Sequence, residues 1–207
     1  TILSKNPVFL MQRFLTSNKT LWNDKVGQIS LAVTTLFWGA GATLQFIVLL
    51  WAQVHLNMTL DKAAMLQGIV AVGVILGSVI AGKLISLKNS IKVLPTGILM
   101  GLVVPMMTLT SSIVPASVLL IIIGVLAGSF VVPMNALLQH RGYVTLSAGQ
   151  SIAVQNFNEN LNVLIMLGIY SFLLYANLEV NIIVALFGAF VAITMYVVMI
   201  RCRKNQE

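Results

Sequence analysis

The sequence predicts an all-α integral membrane protein with six transmembrane helices, and three observations carry that reading. Only 8% of its 207 residues are charged and 58% are hydrophobic, against roughly 25% charged in a soluble domain. Six apolar windows each come close to the 20 or so residues a helix needs to cross a hydrocarbon core about 30 Å thick. The cations also alternate with those windows so that eleven of the twelve fall on one side, which is the positive-inside pattern for cytoplasmic termini.

Residues 1–27 are polar and basic and form a cytoplasmic linker. Within it Val8, Phe9, Leu10, Met11, Phe14 and Leu15 interleave with Gln12 and Arg13. That pattern fits a short interfacial helix or an ordinary linker equally well. The six-span bundle then covers residues 28–200, and 201–207 form a cytoplasmic tail. No signal peptide is visible, and the opening on Thr1 rather than Met leads us to expect a piece of a longer protein.

The first span, 28–52, carries Trp38-Gly39-Ala40-Gly41, whose small residues let a neighbouring helix approach closely. Gln45 is the one amide deep in this span, Trp38 is placed to stack on a substrate or to pack against lipid, and Trp22 and Trp51 mark its two ends. The second span, 63–85, contains Gly68, Gly73, Gly77, Ser78 and Gly82, of which the last three read as a packing ridge. A short basic loop, 82–92, leads to the third span, 93–110, with Pro95 near its start and Pro105 near its exit. In the fourth span, 115–138, Pro133 is expected to kink the helix and, with Asn135, to supply a gating hinge.

The fifth span, 148–175, holds the most informative feature of the chain. Glu159 sits there among Gln155, Asn156, Asn158, Asn160 and Asn162. At about 1.5 Å per residue the carboxylate lies roughly 16 Å into the helix, near the bilayer midplane. A carboxylate at that depth costs several kcal/mol, and the amides around it must also find partners. Transporters place substrates at this level. The polar side chains cover roughly 200° of a 100°-per-residue wheel, so they cannot all line one cavity. Part of the arc, including Glu159 with Gln155 one turn earlier, is expected to face water or substrate, while other amides bond to neighbouring helices, and which amide does which is left open by the sequence. A purely structural role, holding helices together, is the competing reading. The sixth span, 180–200, ends in basic residues around the single cysteine, Cys202.

Some functions are excluded at this stage. The net charge of +7 is topological, which argues against nucleic acid as a partner. One cysteine supports neither a disulfide framework nor a thiolate site. His55 and His140 lie near opposite membrane faces, and no spacing of carboxylates or cysteines suggests catalysis or a metal. No enzymatic step, metal or cofactor is expected.

The six spans divide into two groups of three, and specific segments resemble a known family. They are Leu36-Phe37-Trp38-Gly39-Ala40-Gly41, the run Phe130 to Gln139 around Pro133-Met134-Asn135, and Ala153-Val154-Gln155-Asn156 with Glu159-Asn160, continuing to Met166-Leu167-Gly168-Ile169-Tyr170-Ser171. These resemble the carboxy-terminal half of bacterial lysophospholipid transporters of the major facilitator superfamily, whose halves are built from inverted three-helix units. The resemblance implies a flippase that moves lysophospholipids, typically lysophosphatidylethanolamine, across the bacterial inner membrane. It also implies an amino-terminal six-span half, and phospholipid remodelling by a cytoplasmic acyltransferase or acyl carrier protein synthetase as the next step. Substrate-binding residues would be Glu159, Gln155, Asn156, Asn160, Gln45 and Trp38, with membrane lipid around them. The chain departs from the family at Gln45, where a basic residue is usual, at His140, where an acidic one is, and in the loop 82–92, which lacks an acidic residue. The alternative reading is a proton-coupled major facilitator exporter of drugs or metabolites, with Glu159 as the proton carrier.

Overall fold

The computed structural model describes residues 7–206, apart from the side chain of Gln206. Residues 1–6 and 207, the outer ends of the expected linker and tail, lie outside the described residues, Lys5 among them. The helices are α1 (Pro7–Asn23), α2 (Gly27–His55), α3 (Leu60–Leu84), α4 (Leu94–Val103), α5 (Ile113–Thr145), α6 (Ala148–Tyr175) and α7 (Val180–Gln206). Six stretches are long and apolar enough to cross a membrane, and the described residues contain no strand. The third is composite: a 3-10 segment Leu87–Val93, then α4, then a 3-10 segment Val104–Leu109. Proline chemistry explains that break. Pro95 stands at the start of α4, where a missing N–H costs nothing, whereas Pro105 falls where the α pattern needs a donor and the chain tightens to 3-10. By contrast α5 runs unbroken through the buried Pro133.

Helix pairing reveals an order that the sequence carries only faintly. The closest pairs are α3 with α5, α2 with α6, and α4 with α7. Exchange the first three spans for the last three, so that α2 replaces α5, α3 replaces α6 and α4 replaces α7, and this set of pairs maps onto itself. Because each group has three spans, the second group starts from the opposite face. The packing is therefore that of an inverted repeat, consistent with one half of a major facilitator fold. Exposure follows the same exchange, since α3 and α6 are the least covered spans.

Close approach of α3 and α5 rests on glycine. A Cβ on Gly73 would meet the Ile121 carbonyl and Gly124 Cα, one on Gly77 the Val125 carbonyl, one on Gly124 the Val70 carbonyl, and one on Gly128 the Val74 carbonyl. Two glycine pairs spaced by four thus face each other and bring the backbones into contact. Ser129 Oγ adds a hydrogen bond to the Gly77 carbonyl at 3.3 Å. Of the expected ridge of Gly77, Ser78 and Gly82, Gly77 and Ser78 lie on this contact, Ser78 against Gly128, and Gly82 does not: Gly77 pairs along α3 with Gly73, while Gly82 and Gly68 face open space. Helix spacing accounts for the difference, because Gly82 lies off the stripe that positions 73 and 77 define.

Side-chain ties close the two ends of the bundle. At the end away from α1, His55 stacks on the buried Trp51 and meets Asn181 of α7. At the α1 end, Asn205 Nδ2 donates to the Lys25 carbonyl and Arg201 Nε to Gln28 Oε1. The stretch that fitted either an interfacial helix or a linker is a helix docked on the bundle. Leu21 of α1 joins Leu31 of α2, Leu138 of α5 and Val154 of α6 in a small core separate from the main one.

Candidate functional site

α6 is started by reciprocal capping: Gln150 N–H donates to Ser147 Oγ, and Ser147 N–H donates to Gln150 Oε1. The helix is then inverted relative to a soluble one. Its apolar residues Phe157, Leu161 and Ile165 point outward and are exposed, whereas Gln155, Asn158, Glu159 and Asn162 turn toward neighbouring helices. That is the arrangement expected where the surroundings are hydrocarbon and polar groups seek the bundle interior.

The polar belt is shared among three neighbours. Gln155 Nε2 donates to Glu159 Oε1 at 2.8 Å and to Asn135 Oδ1 of α5 at 3.1 Å. Glu159 is only 8% exposed, and the wholly buried Thr34 of α2, whose Oγ1 donates to the Leu31 carbonyl at 3.2 Å, lies beside it. Asn162 Nδ2 donates to the Thr35 carbonyl of α2 at 2.8 Å, and its side chain packs on Gly39. Asn158 turns the other way: its Nδ2 donates to Asn18 Oδ1 of α1 at 2.8 Å, and its Oδ1 accepts from Trp22 Nε1 at 3.2 Å. Phe157 beside it meets Phe14 of α1 edge-on, with ring centroids 5.1 Å apart.

Of the residues singled out in the sequence, Glu159, Gln155 and Asn135 are brought together, with Asn135 two residues beyond Pro133 on α5. Asn156 and Asn160 are not in this cluster. They are exposed on the flank of α6 away from α1, and Asn160 Nδ2 bonds back to the Asn156 carbonyl. Trp38 and Gln45 lie two turns apart on an exposed stripe of α2, where the Gln45 carbonyl accepts from Gln67 of α3. Sequence reasoning missed Thr34 and the α1 residues. The Thr34-Thr35 pair inside an apolar span was a usable signal; nothing local to α1 pointed to Asn158.

Above the cluster, toward the end away from α1, a cleft of about 260 Å³ opens between α2, α6 and α7. Met166, Tyr170, Ile183 and Phe187 line it. Its polar atoms are occupied, since Tyr170 Oη donates to the Phe46 carbonyl and Thr43 Oγ1 to the Gly39 carbonyl. The cleft therefore offers C–H surface alone. Chemically, the site pairs a carboxylate and amides with an adjoining apolar wall. The described residues contain no group of three His, Cys, Asp or Glu that could hold a metal.

No family model and no solved structure matches the chain. Among curated proteins, the lysophospholipid transporter LplT of Shigella flexneri is 43% identical over 204 residues, which cover 98% of this chain and 51% of that protein. LplT of Escherichia coli O1:K1 / APEC and of Escherichia coli O7:K1 (strain IAI39 / ExPEC) are each 42% identical over the same coverage. The chain is a homologue of the lysophospholipid transporters. It spans about half the length of these curated relatives. They are named as transporters rather than enzymes, and with six helices long and apolar enough to span a bilayer this chain is a multi-pass membrane protein.

Proposed function

We propose that this chain is the carboxy-terminal half of a flippase that moves lysophospholipids, of the lysophosphatidylethanolamine type, across the bacterial inner membrane for re-acylation. The observation that carries the proposal is the polar cluster of Glu159, Gln155 and Asn135, buried among membrane-spanning helices of a chain 43% identical to a lysophospholipid transporter. A lysophospholipid joins a polar head to one acyl chain, so its carrier needs polar partners next to an apolar wall. A carboxylate suits an ethanolamine ammonium, and amides suit phosphate and glycerol oxygens. The exposed Asn156 and Asn160, with Trp38 and Gln45, form the wall that the missing amino-terminal half covers. With ten of the eleven described cations on the α1 side, both ends of the segment are cytoplasmic. A cytoplasmic acyltransferase or acyl carrier protein synthetase then consumes the delivered lysolipid.

The test is reassembly. This chain is co-expressed with the amino-terminal half of a relative, and uptake of labelled lysophosphatidylethanolamine into spheroplasts is followed. Uptake should appear with both halves and not with either alone. Transport by the isolated segment in liposomes, or a requirement for a pH gradient with export of a soluble compound, would overturn the proposal.

A further inference from the structure

The small core that holds α1 is built from the same three helices that surround Glu159. Leu31 lies three residues before Thr34 on α2, Leu138 three residues after Asn135 on α5, and Val154 directly before Gln155 on α6. Given the directions of these helices, each of the three sits on the α1 side of its polar neighbour, on α2 and α5 by about 4.5 Å. Leu21 of α1 completes the layer, and all four side chains are fully buried. A sheet of hydrocarbon thus closes the polar cluster on the side where α1 lies, and only one of its four members belongs to an element outside the spans.

We infer that α1 is a removable plug on the cytoplasmic route to the Glu159 cluster. Beyond Leu21 and the edge-on contact of Phe14 with Phe157, its attachment is polar and peripheral: Asn18 and Trp22 hold Asn158, and Asp24, just past its end, holds Arg141 of α5. Such contacts break at modest cost compared with the glycine-packed backbones of α3 and α5. The seat of α1 is also loosely filled. A cavity of about 330 Å³ lies between it and the start of α6, lined by Leu10, Arg13, Phe14, Ser17 and Gln150 among others. Withdrawal of α1 takes Leu21 out of the layer and leaves Leu31, Leu138 and Val154 around an opening that leads to Thr34 and Glu159. The plug does not depend on which molecule the cluster binds, so it stands or falls separately from the lysophospholipid reading.

The experiment reads access directly. In a Cys202→Ala background, Thr34→Cys serves as reporter in inside-out membrane vesicles, and a small charged thiol reagent is added from the α1 side. With α1 intact the reporter should label slowly. Leu21→Ala, and separately Asn18→Ala, should speed labelling at least tenfold from that side and leave labelling from the opposite face unchanged. Asn18→Ala covers the case in which Leu21→Ala fails to fold, because it removes a peripheral hydrogen bond and no core side chain. Fast labelling with α1 intact, or equal rates in all variants, overturns the plug. So does an equal rise from both faces.

Discussion

The Arg141 guanidinium donates through Nε and Nη2 to the two carboxylate oxygens of Asp24, joining the start of α2 to the end of α5 across 117 positions. Asp24 also accepts from the Gly27 N–H at 2.6 Å, so one carboxylate both caps α2 and anchors it. The Arg141 hydrogen bond is the main cause that holds the Asp24 carboxyl below its ordinary value of 3.8, against some opposing burial. The pair is partly solvated, so its contribution is only about 1 kcal/mol.

Asp24→Asn should therefore loosen α1 without unfolding the spans, seen as faster amide hydrogen exchange in residues 7–23 and unchanged exchange in α3 and α5. The pH dependence has a definite sign. A carboxyl whose folded value is depressed contributes fully above the unfolded value, so docking should be flat through neutral pH. It should weaken only as pH falls below about 3.8 toward the lower folded value. Loosening that begins near neutrality would assign the change to another group.

Two alanine substitutions on the same helix separate backbone contact from propensity. In Gly77→Ala the new Cβ meets the Val125 carbonyl, and backbone cannot move aside cheaply. The expected loss is about 1–3 kcal/mol. Gly82→Ala places its methyl in open space and should be neutral or slightly stabilising. Thermal unfolding in detergent checks both. Equal melting points would remove the α3–α5 glycine contact as a source of stability.

Hydrophobicity alone made the six spans legible, and the boundaries of α6 match residue for residue because Ser147 caps one end and the apolar run stops at the other. Elsewhere the helices outrun the apolar windows. The end of α5 stays helical through Gln139, His140 and Arg141, since Arg141 is held by Asp24 and not by lipid. The belt around Glu159 was legible as a polar cluster but not as a set of assignments. Gln155, Asn158 and Asn162 are the same chemistry on neighbouring turns, and which one meets α5, α1 or α2 depends on helices more than a hundred residues away for Asn158 and Asn162. The role of α1 was invisible for a related reason. Leu21 reads as one apolar residue in a basic stretch until three distant helices converge on it.

Among the described residues, Gln155 bridges Glu159 to Asn135 of α5, and this makes the pair a testable unit. Gln155→Leu removes the amide that donates to the carboxylate and should lower membrane yield and melting temperature markedly. Adding Glu159→Leu should restore part of the loss, because an apolar pair of similar shape leaves nothing unsatisfied. The coupling read from the cycle should lie at about 0.5–3 kcal/mol. Additive effects would mean that the two side chains act independently despite their 2.8 Å contact.

Headgroup choice gives the sharpest test of the carboxylate. Glu159→Gln keeps shape and hydrogen bonding but removes the charge that would pair with an ammonium. In the reassembled transporter it should impair uptake of lysophosphatidylethanolamine more than that of lysophosphatidylglycerol, whose head carries no cation. A difference of roughly 1–3 kcal/mol, about 5- to 150-fold in relative uptake, is reasonable for a charged hydrogen bond in a partly dry site. Uptake of both lipids by spheroplasts, normalised to transporter in the membrane, makes the comparison. Equal loss for both would place Glu159 in helix packing or gating, and unchanged uptake would take it out of the site.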